Sequence, residues 1–177
     1  MFACQTRAAF AFSQGRMETT HERMLIAAQG YSELDMPECA LAELARLPAE
    51  LQRDAMVVET HLSIYMQARR FAEALPFGQE LCRLRPDIPV GFIHAAFCFH
   101  ELGKTREARE LLISGPPALK AEATYHYNLA CYEATLGNLE AARAHLATSF
   151  SLDRKLKDHA CEDPDLRVLR EKGLALG

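Results

Sequence analysis

The sequence YHYNLACYEATLGNLEAARAHLATSF, at residues 125–150, contains two segments with helical apolar spacing, separated by Gly137-Asn138. The same layout occurs once more just before it. There, VGFIHAAFCFHEL at 90–102 is followed by Gly103-Lys104 and by TREARELLI at 105–113. Glycine is favoured where a helix ends in a left-handed residue, and Thr105 is a candidate N-cap of the second helix. Each stretch therefore predicts two helices joined by a tight turn.

This layout recurs through most of the chain. Alanine stands at equal steps along it, at Ala40, Ala74, Ala108 and Ala142. The same register holds three further columns: Tyr31, Tyr65, Phe99 and Glu133; Leu34, Ala68, Leu102 and Leu136; and Ala28, Leu62, Ala96 and Ala130. A fixed period of roughly 20–50 residues is the signature of a repeat protein. We predict four consecutive repeats, at 21–54, 55–88, 89–122 and 123–156.

The repeated small residues have a physical explanation in helix packing. Two helices that cross closely need small side chains at the contact. The alanines of the first helices (Ala28, Ala96 and Ala130) should therefore meet those of the second helices (Ala40, Ala108 and Ala142). Large residues in the same register should fill the groove between repeats: Tyr31, Phe99, Leu44, Leu112 and Leu146. One helix pair cannot bury its apolar face alone, so stacking of the pairs makes the core continuous.

These columns resemble the tetratricopeptide repeat, whose pattern is an aromatic, Leu-Gly/Ala, Tyr, Ala, a large apolar residue and Pro. The third repeat supplies Phe92, Ala95-Ala96, Phe99, Ala108 and Leu112. The last repeat, followed by CEDPDLRVLR at 161–170, is similar to the closing repeat and cap of many bacterial arrays. The resemblance implies an all-α fold, a right-handed superhelical solenoid of antiparallel helix pairs.

Some positions depart from the pattern. The second repeat carries Leu62 where a small residue is usual and Gly78 where a large one is, two swaps that offset each other in volume. Pro76 removes a helical hydrogen bond, so we expect it to kink or delay its helix. Ser114-Gly115-Pro116-Pro117 predicts a loop, and Glu133 replaces the usual tyrosine of the last repeat.

The two ends of the chain differ from the repeats. Residues 1–20 are small, apolar and aromatic, and we expect an extension that is either disordered or an extra helix. They fit a secretory signal poorly because Arg7 interrupts the apolar part, and Met17 is an alternative start. Residues 157–177 carry the charge that a terminal element needs on its outer face, so we expect a cap. Pro164 should break this cap into two short helices.

Composition excludes several classes of function. The chain has 177 residues, is 49% apolar and has a formal net charge of −4, which argues against disorder and against a basic nucleic-acid interface. It contains neither GxGxxG nor GxxxxGK[ST]. No apolar stretch is long enough to span a membrane, so we expect no membrane insertion.

Catalytic and metal-binding patterns are absent. The six cysteines, at 4, 39, 82, 98, 131 and 161, form no CxxC pair, and we expect buried, reduced thiols of a cytoplasmic protein. HExxH does not occur among the seven histidines: His21, His61, His94, His100, His126, His145 and His159. The separation of His94 and His100 in sequence does not place them on one helix face, although His126 could approach them. Asp163 and Asp165 look like helix caps. We predict no enzyme, no cofactor and no metal.

The resemblance places the functional surface on the concave side, which the first helix of each repeat lines. The predicted site residues at inward positions are Met66, His94, Phe97, His100, Glu101, Tyr127, Asn128 and Cys131. The carboxylate clamp of chaperone-binding members needs Lys and Arg beside Asn, and only Asn128 is of the right type. Exposed aromatics and methionine would suit adaptable apolar recognition, but Phe97 and Tyr127 could equally be core packing.

The sequence therefore favours a non-enzymatic interaction module or adaptor that holds a partner's peptide or helix in its concave groove. The alternative is a small secretion chaperone for a translocator protein, because PVGFIHAAFCFHELGKTREARELL (89–112) looks like the third repeat of such chaperones. Those proteins have about three repeats and a dimerising N-terminal helix, whereas this chain has four in register. A homodimer remains open, since the first and last repeats could pair with copies of themselves.

Overall fold

The computed structural model describes residues 19–173. Met17, Cys4 and nearly all of the predicted extension at 1–20 lie outside the described residues, as does the end of the predicted cap. Within the described range, eight long helices form four antiparallel pairs: α1 (Thr19–Glu33) with α2 (Pro37–Ala45), α3 (Ala55–Gln67) with α4 (Phe71–Leu84), α5 (Pro89–Glu101) with α6 (Thr105–Ser114), and α7 (Ala123–Thr135) with α8 (Leu139–Leu152). Residues 19–173 contain no strand.

The turn inside each helix pair has the same backbone geometry. Its central residue has a positive φ in all four pairs: +58° at Asp35, +58° at Arg69, +76° at Gly103 and +85° at Gly137. The next amide donates to the carbonyl five residues back, as in Lys104 N–H to Phe99 O at 2.9 Å. This is a Schellman C-cap, in which a left-handed residue satisfies the last carbonyls of the first helix. The geometry repeats even where the residue is not glycine.

The predicted N-cap role of Thr105 is wrong. Lys104 occupies the cap position, without a side-chain cap hydrogen bond, and Thr105 is the first residue of α6. Because the Schellman turn uses only Gly103 and Lys104, the helix begins at once. The Thr105 side chain is buried and meets His100 instead.

The core consists of small and large residues in the predicted register. The six alanines expected at the helix crossings are fully buried: Ala28, Ala40, Ala96, Ala108, Ala130 and Ala142. Leu44, Leu112 and Leu146 are also fully buried, while Tyr31 and Phe99 are partly buried against the core. This packing confirms the prediction of an all-α solenoid, since each pair completes the apolar face of its neighbour.

The second pair packs closely against the third at Gly78. α4 continues through Pro76 from Phe71 to Leu84, so the expected delay of this helix is wrong. Gly78 lies on the same helix against α5, where an added Cβ would stand 2.9 Å from the Ala95 Cβ. Leu62, the large residue of the swap, is fully buried. Because Gly78 has no side chain, α4 of the second pair and α5 of the third pair can pack closely there.

The link after α6 is shorter than predicted. Only Gly115 and Pro116 separate α6 from a 3₁₀ helix at Pro117–Ala121, which buries Leu119 in the core. Glu133, the substitute for tyrosine, is buried and forms an ion pair with Arg109 and a hydrogen bond with Asn138 Nδ2 at 2.7 Å. Burial alone would raise the pKa of Glu133, but the hydrogen bonds from Arg109 and Asn138 lower it below its usual value.

The C-terminal segment folds back onto the last helix pair. It contains α9 (Leu156–Ala160), a 3₁₀ helix at Pro164–Leu166, and α10 (Arg167–Glu171). Ala160, Leu166 and Leu169 are fully buried and share a core with Leu146. We call residues 156–171 the cap. Among the described helices, none is long and apolar enough to cross a membrane.

Gly78→Ala should destabilise the protein by about 1–3 kcal/mol, because the new methyl group overpacks against Ala95. The matched control is Gly30→Ala in α1, where an added Cβ meets nothing within 4 Å. That change should stabilise by about 0.5–1 kcal/mol through helix propensity alone. Urea denaturation of both variants measures the difference. If Gly78→Ala is as stabilising as Gly30→Ala, the close approach of α4 and α5 is wrong.

Candidate functional site

Six of the eight predicted site residues line one cavity of about 440 Å³ between α5, α7 and the cap. They are Phe97, His100, Glu101, Tyr127, Asn128 and Cys131. The cap supplies Leu156, Asp163, Pro164 and Asp165, and the rest of the wall comes from Gly103, Thr105, Thr124, Tyr132 and Thr135. Met66 and His94 lie outside it. The inward face of the last two repeats is therefore a cavity with the cap as one wall.

Tyr127 and Cys131 lie beneath the cap. Of the two alternatives for Tyr127, an exposed aromatic or core packing, the structure shows packing, since the residue is only 4% exposed. Its hydroxyl donates to Asp163 Oδ2 at 2.9 Å, and the Cys131 thiol lies 3.8 Å from the same oxygen. Burial raises the pKa of both groups, and the nearby Asp163 carboxylate raises it further. Both residues thus anchor the cap to α7 in their protonated forms.

His100 is held at both ring nitrogens. Nε2 lies 3.0 Å from Asp165 Oδ2, and Nδ1 lies 3.0 Å from the Thr105 hydroxyl. A carboxylate only accepts, so Nε2 carries the proton of this pair. The ring centroid lies 4.8 Å from that of Tyr132. These contacts fix the ring across α5, α7 and the cap, and connect residues that are 65 positions apart in sequence.

Met66, Phe97 and His94 have different surroundings. Met66 packs into the core of the second pair, where its sulfur accepts from Cys98 Sγ at 3.2 Å. Phe97 is half-buried and meets the ring of Phe71 edge-on, with 5.6 Å between centroids. The Nδ1 atom of His94 is buried and has no hydrogen-bond partner. Only Phe97 of these three reaches the cavity.

Known proteins resemble this chain in structure rather than in sequence. Neither the protein-family models nor the curated proteins match the sequence. MamA of MSR-1 has a TM-score of 0.66 at 17% identity, covering 81% of this chain and 82% of that one. A double mutant of MamA from RS-1 gives 0.68 at 13% identity, covering 78% and 79%.

A third structure joins these two. YrrB, a TPR protein with an unusual peptide-binding site, gives a TM-score of 0.63 at 16% identity, covering 85% and 77%. Together with the four repeated helix pairs, these similarities decide the architecture. The protein has the tetratricopeptide-repeat (TPR) fold. At such low identities the likeness is one of fold.

The cap residues of this TPR cavity were missed as site residues. Asp163 does act as a helix N-cap, because its Oδ1 accepts a hydrogen bond from the Asp165 amide at 2.9 Å. Its other oxygen, however, faces Tyr127 and Cys131. Asp165 caps nothing and pairs with His100. The signal in the sequence was an acidic pair around Pro164, but only the folded solenoid brings it to α5 and α7.

The cavity of this TPR fold is acidic, unlike a carboxylate clamp. Its wall includes Glu101, Asp163 and Asp165 but, among the described residues, neither Lys nor Arg. Arg69 lies at its edge, with Nη2 3.8 Å from Glu101 Oε2. A carboxylate clamp needs cations in this place to hold a C-terminal carboxylate. The cavity therefore has the opposite polarity.

The cysteines differ from expectation in burial, and one histidine differs in its partner. The five described cysteines are free, with Cys98 and Cys131 buried as expected but Cys161 exposed. Nδ1 of His126 lies 3.2 Å from Nδ1 of His145, so His126 pairs with a histidine of α8 rather than with those of α5. The ligand atoms of Cys131, Asp163 and Asp165 lie within 4.8 Å of one another. This set could hold a cation, although binding through Cys131 first requires loss of its thiol proton.

His94 should make the stability of the protein depend on pH. Burial lowers its pKa to about 4, whereas an unfolded histidine titrates near ~6.5. The unfolded chain takes up this proton first, so stability falls as the pH drops from about 6.5 towards 4. His94→Phe should flatten that fall and add about 1 kcal/mol at pH 7 by removing the unpartnered nitrogen. Urea denaturation at several pH values measures both effects.

His94→Gln is the matched control, because glutamine cannot titrate yet keeps a polar group at this position. It should flatten the pH profile without the gain at pH 7. If both variants keep the slope of the wild type between pH 6.5 and 4, His94 is not the group that titrates.

Proposed function

We propose that this protein is a non-enzymatic interaction module that binds a peptide segment or helix of a partner protein at the cavity between α5, α7 and the cap. The observation that carries the proposal is the convergence of six inward-facing residues of two repeats in one cavity. The likeness in fold to YrrB, a TPR protein with a peptide-binding site, supports a partner of this kind.

The proposed mechanism is presentation of a preformed surface. Phe97 and Asn128 are half-buried and offer an apolar ring and an amide, while Thr135 is exposed at the rim. His100 and Tyr127 are fixed by hydrogen bonds to the cap, so they cannot rearrange without breaking those bonds. Few side chains need to be ordered on binding, which lowers the entropic cost of association.

A secretion chaperone is the second candidate for this fold, and it shares the groove. It would need a dimerising helix before the first repeat. Under the module proposal the protein works in the bacterial cytoplasm, as a monomer or a homodimer. Light scattering of the full chain tests the second candidate: a monomer excludes the dimeric chaperone, whereas a dimer is compatible with both candidates.

Thr135→Arg should abolish partner binding, because a long side chain at the rim would fill the cavity without touching the core. The matched control is Thr148→Arg, also an exposed threonine, which lies on α8 and outside the cavity. Affinity capture from the native host with the wild type and both variants, followed by mass spectrometry, provides the measurement. A partner that is retained by Thr148→Arg and lost by Thr135→Arg supports the site.

Circular dichroism must show that both variants are folded like the wild type. If Thr135→Arg captures the same proteins as the wild type, binding occurs elsewhere and the proposed site is wrong. Tyr127 is unsuitable for such a test, since a charged substitute would be buried beside Asp163 and would break the contact that holds the cap.

A further inference from the structure

Three carboxylate side chains line the partly enclosed cavity. Glu101 comes from α5, while Asp163 and Asp165 come from the cap. Asp163 is 7% exposed and accepts hydrogen bonds from Tyr127, from the Asp165 amide and from the Cys131 thiol, which are all neutral donors. A carboxylate removed from water is costly unless a cation accompanies it.

Within residues 19–173, few basic side chains face these carboxylates. His100 pairs with Asp165, and Arg69 meets Glu101 from the edge at 3.8 Å. No salt bridge within residues 19–173 involves Asp163. The wall thus has three carboxylates, one histidine and, within the described residues, no Lys or Arg of its own. A positively charged guest would be favoured here over a neutral or acidic one.

A second observation also points to a polar ligand. The hydroxyl of Tyr132 is buried, has no hydrogen-bond partner, and belongs to a side chain that lines the same cavity. Its ring, 1% exposed, packs beside His100. A buried hydroxyl without a partner loses free energy that a ligand donor would restore. The cavity therefore combines carboxylates, an orphaned hydroxyl and the aromatic side chain of Phe97.

We infer that the cavity binds an arginine side chain of the partner segment, with the guanidinium between Glu101, Asp165 and the Tyr132 hydroxyl. Arginine suits this wall better than lysine, because its planar fork donates to two carboxylates at once and its face stacks on aromatic rings. The volume of about 440 Å³ lies in the range of ligand sites and is ample for one side chain. This inference rests on the proposed function and names the chemistry of the partner.

The test uses the full-length ¹⁵N-labelled protein and N-acetyl-arginine methylamide as the probe. The matched control ligand is N-acetyl-citrulline methylamide, which has the same shape without the charge. We expect saturable shifts of amide resonances in α5, α7 and the cap with the arginine compound. Binding of the citrulline compound should be at least about tenfold weaker, as expected for loss of charge-assisted hydrogen bonds.

Two charge-removing variants test the wall itself. Glu101→Gln and Asp165→Asn should each weaken binding of the arginine compound about tenfold. Glu107→Gln on α6, an exposed glutamate outside the cavity, is the control and should leave the affinity unchanged. Thermal melting of all three variants checks the fold, and Glu101→Gln keeps the test valid if Asp165→Asn loosens the cap.

Three results would overturn the inference: no saturable binding of the arginine compound, equal binding of the citrulline compound, or equal affinity of all three variants. Stoichiometric Zn²⁺ binding that displaces the arginine compound and is lost in Cys131→Ser would assign the cavity to a metal instead. If Thr135→Arg loses its partner while the arginine compound fails to bind, the proposed function stands and the charge recognition is wrong. If the arginine compound binds but Thr135→Arg keeps its partner, the proposed partner site is wrong and the charged cavity stands.

Discussion

Helix axes can come close together only where the side chains between them are small, and this constraint acts within three of the four repeats. The six fully buried alanines at the crossings set the spacing within the helix pairs. Gly78 against Ala95 does the same between neighbouring pairs. The larger residues then pack into the spaces on either side of each helix crossing. The leucines at 44, 112 and 146 occupy those spaces.

Much of this architecture was predictable because it depends on local pattern. Period, helix pairing and the glycine turns at Gly103 and Gly137 all follow from residues close in sequence. The turns at Asp35 and Arg69 have the same geometry without glycine, so glycine in the sequence marks only two of the four turns. Local pattern was also insufficient at Pro76, because α4 continues through this proline although it cannot donate a helical hydrogen bond.

The candidate site was predictable only in part, because the residues that form it are far apart in the sequence. The inward register brought Phe97, His100, Glu101, Tyr127, Asn128 and Cys131 to one place. Whether each side chain is accessible depends on the cap, which arrives 36 residues after Tyr127 and 65 after His100. No local pattern encodes that contact. The cap turns an open groove into a cavity with one acidic wall, and in this way decides its chemistry.

The left-handed turns have a consequence for how the molecule opens. Asp35 and Arg69 hold a backbone conformation that costs non-glycine residues roughly 1–2 kcal/mol each, whereas Gly103 and Gly137 adopt it freely. The cap adds buried residues and polar links only to the C-terminal pairs. We therefore expect the first two pairs to open at lower free energy, and the amides of the last two pairs, which surround the cavity, to exchange more slowly.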